Sequence, residues 1–196
     1  MKIMKSLFAT AIALMAFACS PAPTQEGEQG QQATEKMSAE QQVARGQYLV
    51  SIAGCNDCHS PKKMGPHGPE PDPDRLLSGH PQNEPLAHVD TSELKSWALF
   101  SPGLTAAVGP WGVSYAANLT SDETGIGLWT EAQFFKAIRE GKYKGLEGSR
   151  PLLPPMPWPN IAQMTDEDLR AVFAYLKSTK PVRNIVPVPV MLAELK

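Results

Sequence analysis

Cys55-Asn56-Asp57-Cys58-His59 sets two thiols three positions apart and an imidazole directly after the second. No other feature limits the chain as strongly, because Cys-x-x-Cys-His is the attachment pattern of c-type haem. Thiols at that spacing reach the two vinyl groups on one porphyrin edge, and His59 then lies beneath the iron as proximal ligand. Cys-x-x-Cys pairs also serve zinc sites and thioredoxin-like redox centres. A zinc site needs two more ligands at short spacing, and the third cysteine, Cys19, stands in a different kind of segment. A thioredoxin-like centre needs a βαβ pattern, which the flanking sequence lacks. One covalently bound haem c is therefore the expected cofactor.

Lys2 and Lys5 precede an apolar run from Leu7 to Ala18, interrupted only by Thr10, and Ala18-Cys19-Ser20 follows. The run is too short to span a bilayer and ends in small residues, so residues 1–18 read as a signal peptide for export. A cysteine at that point resembles a bacterial lipoprotein processing site, with Cys19 as the lipidated residue. Ala16-Phe17-Ala18 also fits ordinary Ala-x-Ala cleavage, which would release a soluble periplasmic protein. Once haem occupies Cys55 and Cys58, Cys19 would otherwise be an unpaired thiol in an oxidising compartment, and this favours the anchor. Residues 19–38 are rich in Pro, Gln, Glu and Gly without apolar periodicity, as befits a flexible tether. The expected location is the periplasmic side of a bacterial membrane.

Residues 39–186 are expected to form one domain, with 187–196 as a C-terminal tail. The 18 basic and 20 acidic residues nearly balance, which indicates neither a nucleic-acid partner nor electrostatic membrane adhesion. Proline and glycine cluster between Pro61 and Gly112. The expected fold is all-α and loop-rich, with a long insertion at 60–112 after the haem motif, ordered as a flap that includes a small hairpin. Helical spacing runs from Ala39 to about Ala53. A second helix follows the cap residue Thr130 to about Glu140, with Phe134, Phe135 and Ile138 on its apolar face. Thr165-Asp166-Glu167-Asp168 starts a third, whose stripe of Leu169, Val172, Phe173 and Leu176 ends near Ser178. Short strand character is confined to Val113–Leu119.

The helix that enters Cys-x-x-Cys-His, the later methionine in a proline-rich loop and the terminal helix ending Ala174-Tyr175-Leu176-Lys177 together resemble the cytochrome c family. Asn118-Leu119-Thr120, Thr124-Gly125-Ile126-Gly127 with Trp129, Arg139-Glu140-Gly141 and Pro155-Met156-Pro157-Trp158 are similar to haem domains of cytochrome subunits that serve membrane-bound periplasmic dehydrogenases. The resemblance covers roughly residues 43–183. It implies a cytochrome c fold, a methionine sulfur from Met156 as the iron's second axial ligand opposite His59, and Asn118, Thr120 and Trp129 as donors near the haem propionates. It also implies that Gly46 and Tyr175 mark a crossing of the terminal helices. The proline strap Leu153–Pro159 suits the ligand role, since proline fixes φ and lowers the ordering cost. Met156 could instead fill a core gap, and Asn118 to Trp129 could be an ordinary turn with a packed indole.

Met64 lies too near His59 to reach the opposite haem face, and Met164 sits beside a helix cap. His67, His80 and His88 fall in the insertion and read as surface-loop residues, with His80 the leading alternative ligand. A His59/Met156 site would make the chain a carrier of single electrons, not an enzyme, working with a dehydrogenase, an oxidase or another cytochrome. The alternative is a gas-binding or sensing haem module with an open or displaceable sixth position; a peroxidase would need an acid–base group that is not evident.

Overall fold

The computed structural model describes residues 37–195; the signal segment, Cys19 and residues 19–36 of the tether lie outside them. Helix α1 spans Ala39–Ile52 and begins where Ser38 can cap it: Ser38 Oγ accepts from Gln41 N, and Gln41 Oε1 accepts from Ser38 N at 2.7 Å. Two of the orphan donors at the helix start are thus satisfied reciprocally. Helix α2, Cys55–His59, follows after a reversal at Gly54. Helix α3, Glu131–Arg139, is capped by Thr130, and α4 is the single turn Trp158–Ile161. Helix α5, Asp166–Ser178, is capped by Thr165, whose Oγ1 accepts from Asp168 N at 3.1 Å, and its first turn carries three acids. The starts of α3 and α5 agree with the cap residues read from the sequence.

Helices α1 and α5 pack at Gly46 and Tyr175, as expected. A Cβ at Gly46 would stand 1.9 Å from the Ala171 carbonyl oxygen and 2.7 Å from Tyr175 Cβ, so only glycine permits this approach. Leu49 and Val50 of α1 meet Leu169, Ala171, Val172 and Leu176 of α5 in the core, joined by Phe134 and Ile138 of α3 and by Leu77 and Ile126 from loops. Full burial of each large side chain contributes about 1.5–3 kcal/mol. The core therefore unites the two ends of the domain around the motif that follows α1.

The helical expectation holds for the core, and the insertion contains the small hairpin expected there, but a second sheet adds more strand than an all-α fold allows. Strands β1, Lys62–Gly65, and β2, Gly68–Pro71, form an antiparallel hairpin. Strands β3, Leu99–Phe100, β4, Ala106–Gly109, and β5, Gly112–Tyr115, form a second antiparallel sheet in the order β3-β4-β5. All five run only two to four residues, too short to display alternation, and all but β3 have a glycine or proline at an end. Pairing across short turns, between residues three to nine positions apart, stabilises them in place of strand propensity. The described part of the C-terminal tail, 187–195, is tied to this sheet, because Val190 and Val113 bridge with N to O distances of 2.7 and 3.1 Å.

Asn184 holds the insertion against the C-terminal segment. Its Nδ2 donates to Ser78 O at 2.7 Å and His80 O at 2.8 Å, both out of solvent, and its Oδ1 accepts from the part-buried Gln82 N at 2.9 Å. Asn184→Ala is expected to lower stability by about 2–4 kcal/mol through the partners left unpaired. Urea unfolding measures this, and a loss below about 0.5 kcal/mol would refute the role given to Asn184.

Candidate functional site

One turn of helix presents Cys55 and Cys58 together. Both are half-buried and neither is in a disulfide; Cys55 also packs against the main core. Burial pushes the Cys55 thiol up to about 11 and raises that of Cys58 as well. A dithiol redox centre works with a depressed thiol pKa, so the shift runs against that use. Among the described residues no group of three or more His, Cys, Asp and Glu side chains gathers as a metal-binding set, which removes the support a zinc reading would need.

His59 closes the turn and is buried, the whole residue 9% exposed. Its Nδ1 donates to the Ala117 carbonyl at 2.8 Å, which fixes the neutral tautomer and leaves the Nε2 lone pair available. Nε2 makes no hydrogen bond within the described residues. Burial lowers the pKa of the imidazole, opposed by the bond to Ala117. A ligating histidine is commonly oriented by such a bond from its other nitrogen. Two thiols on one turn beside an oriented, unprotonated Nε2 form the donor set that haem c requires.

The remaining supports of the turn come from beyond the motif. Lys62 Nζ donates to the carbonyls of Asn56 at 3.1 Å, Asp57 at 2.9 Å and Ser60 at 2.6 Å. Gly79 N donates to His59 O at 2.7 Å, while Ser60 Oγ donates to Asn56 Oδ1 and accepts from Leu77 N. Leu119 N bonds Leu77 O and His80 N bonds Ala116 O, so segments 77–80 and 116–119 run side by side and bring the Ala117 carbonyl to His59. Ala117 acts through its main chain, which no side-chain motif announces. Lys62, three residues past the helix end, had a readable signal as a cation near exposed C-terminal carbonyls.

Met156 lies half-buried on the proline strap. Ser114 Oγ of β5 donates to Pro154 O at 2.6 Å, and Met156 N bonds Leu153 O at 3.3 Å. Beyond Met156 the strap passes into α4, whose Trp158 ring packs on Gly141. Both ends are thereby anchored. Asn118 and Thr120 are buried and commit their donors internally: Asn118 Nδ2 donates to Val182 O and Thr124 Oγ1, and Thr120 Oγ1 donates to Asn118 Oδ1 at 2.8 Å. Gly125 is required beside them, since a Cβ there would stand 2.9 Å from Asn118 Oδ1. Trp129 is half-buried against the core, and its indole N–H makes no hydrogen bond within the described residues.

His80 needs correction. It is fully buried, not on a surface loop, with Nδ1 paired to Thr105 Oγ1 at 2.9 Å, Nε2 to Glu84 O at 3.1 Å and its ring tilted against Tyr115. With both ring nitrogens engaged it is a strut of the insertion and has no lone pair to offer iron. His67 and His88 are exposed, Met64 is 78% exposed, and Met164 packs against the core.

Comparison with known proteins agrees with the donor set. No family model matches the chain. It is 45% identical over 142 residues, 71% of its length, to the cytochrome c subunit of the quinone alcohol dehydrogenase of Gluconacetobacter polyoxogenes. Over 176 residues, 89% of its length, it is 30% identical to the corresponding subunit of Gluconobacter oxydans. The chain is homologous to dehydrogenase cytochrome c subunits. This cytochrome homologue spans 22% and 27% of those two relatives. A shorter match, 42% over 79 residues, is to a nicotinate dehydrogenase subunit of Pseudomonas putida, of which it covers 6%. The homology and the Cys55, Cys58 and His59 set together support covalently bound haem c. Among the described residues no helix is long and apolar enough to cross a membrane.

Proposed function

We propose that this chain is a mono-haem electron-transfer protein with a cytochrome c fold, carrying single electrons to or from a dehydrogenase. The observation that carries the reading is the oriented His59 beside two half-buried, unpaired cysteines on one helical turn. Cys55 and Cys58 would hold the porphyrin as thioethers, while His59 Nε2 and the Met156 sulfur would hold the iron. Haem supplies reversible ferrous–ferric chemistry, and a thioether ligand raises its potential. Occupied axial positions disfavour substrate chemistry at iron, which suits a carrier. The strap's two anchors support the ligand role of Met156. Trp129, with its indole N–H uncommitted, is the strongest candidate partner for a propionate; Asn118 and Thr120 would act there through the turn they build. On this reading Cys19 carries a lipid, and the tether confines the domain to the periplasmic face of a membrane near a dehydrogenase, an oxidase or another cytochrome.

The test is the optical spectrum of the protein made with c-type haem maturation, oxidised and reduced, with and without carbon monoxide. Covalent haem, a near-red sulfur-to-ferric-iron band and indifference to carbon monoxide are expected. Rapid, complete gas binding would instead favour a ligand-binding or sensing module, and no haem would end the proposal. Cys58→Ser should leave only residual single-thioether haem, measured as covalent haem per chain; a wild-type haem content would refute the attachment role.

A further inference from the structure

The Lys62 ammonium brings a positive charge against the turn that carries Cys55, Cys58 and His59. Helix α2 has five residues, and its terminal carbonyls lack partners along the helix. Lys62 Nζ gathers two of them, Asn56 O and Asp57 O, together with Ser60 O at 2.6–3.1 Å. Three carbonyls call for three N–H donors, which only the protonated amine supplies, and this opposes the burial that lowers its pKa. It forms no ion pair within the described residues. Asp57, exposed on the same turn, acts on it from a distance without pairing. The chain therefore maintains a half-buried, unneutralised positive charge three residues from the proximal ligand.

We propose that Lys62 is a positioning and potential-setting residue, whose fixed charge favours the reduced state of a haem bound at Cys55, Cys58 and His59. Reduction adds one negative charge at the iron, and a nearby cation in a medium of reduced dielectric stabilises that state. This inference rests on the proposed haem attachment and goes beyond it, since ligand identity alone would leave Lys62 without effect on the potential. Lys63, the next residue, is exposed on β1 and makes no bond to the turn, which makes it the natural control.

The experiment is a mediated redox titration of the haem-loaded wild type, Lys62→Gln, Lys62→Arg and Lys63→Gln. Glutamine keeps an N–H donor for the carbonyls and removes the charge; arginine keeps the charge. Lys62→Gln should lower the equilibrium constant for reduction about three- to tenfold, roughly 30–60 mV at 59 mV per tenfold. Lys62→Arg and Lys63→Gln should stay within twofold of wild type. An unchanged potential in Lys62→Gln, an equal shift in Lys63→Gln, or loss of haem from Lys62→Gln would each overturn the proposal, the last by making the charge a requirement for assembly. Covalent haem in the wild type is read first by its alkaline pyridine spectrum. Its absence would sink the functional reading itself, whereas its presence with an unmoved potential would sink only the role of Lys62.

Discussion

Leucine at position 46 is expected to leave no folded protein at 25 °C. A Cβ there would lie 1.9 Å from Ala171 O and 2.5 Å from Ala171 C, and both atoms belong to the backbone of α5. No rotamer change relieves that contact; the helices must separate. Separation would open the contacts of Leu49 and Val50 with Leu169, Val172 and Leu176, each worth about 1.5–3 kcal/mol on burial. The total rivals the roughly 5–15 kcal/mol that holds a typical domain together. Even Gly46→Ala, despite gaining about 1 kcal/mol of helix propensity, should lose about 3 kcal/mol or more by overpacking. Far-UV circular dichroism and urea titration decide the matter, and a Gly46→Ala protein as stable as wild type would show that the two helices do not cross as closely as described.

Met156→Ala should retain haem yet transform its behaviour. On the proposed reading attachment rests on Cys55, Cys58 and His59, all of which lie on or end α2, a turn held by Ala117, Gly79 and Lys62. The strap is held separately, by Ser114 through Pro154 O and by Trp158 against Gly141, so loss of one side chain should not release it. The near-red sulfur band should vanish, carbon monoxide should bind the reduced protein, and the potential should fall by a substantial part of the roughly 0.8 V over which axial ligands act. An unchanged spectrum would place the ligand elsewhere. His80 is a poor substitute, because it is itself fully buried and freeing either nitrogen means breaking its bond to Thr105 or Glu84.

What can be read from the chain alone and what cannot divides by the range of the forces involved. Ser38, Thr130 and Thr165 lie within three residues of the amides they cap, so the sequence shows both partners of those bonds. Leu169, Val172 and Leu176 reveal their face through spacing alone. His80 and Asn184 behave differently. Their partners lie as far as 25 and 106 residues away, and a histidine among prolines and glycines looks the same in sequence whether exposed or interred. The strands are legible only in part: a small hairpin and the strand character near Val113 could be read, whereas β3 and β4, of two and four residues, are too short for alternation to mark them.

For the site, the local chemistry was written into consecutive residues. Cys55, Cys58 and His59 fall on one turn because helical rise and rotation place them there, whatever surrounds them. The three main helices and their caps were determined equally locally. Only the tertiary structure decided which nitrogen of His59 keeps its proton, that Lys62 gathers the carbonyls of the attachment turn, and that His80 is a strut. The first and third depend on groups brought from 58 and 25 residues away, the Ala117 carbonyl and the Thr105 hydroxyl. Lys62 lies close in sequence, but its reach depends on how the chain leaves α2 and turns into β1. Hydrogen bonds act over about 3 Å in space, and separation along the chain carries no record of that distance.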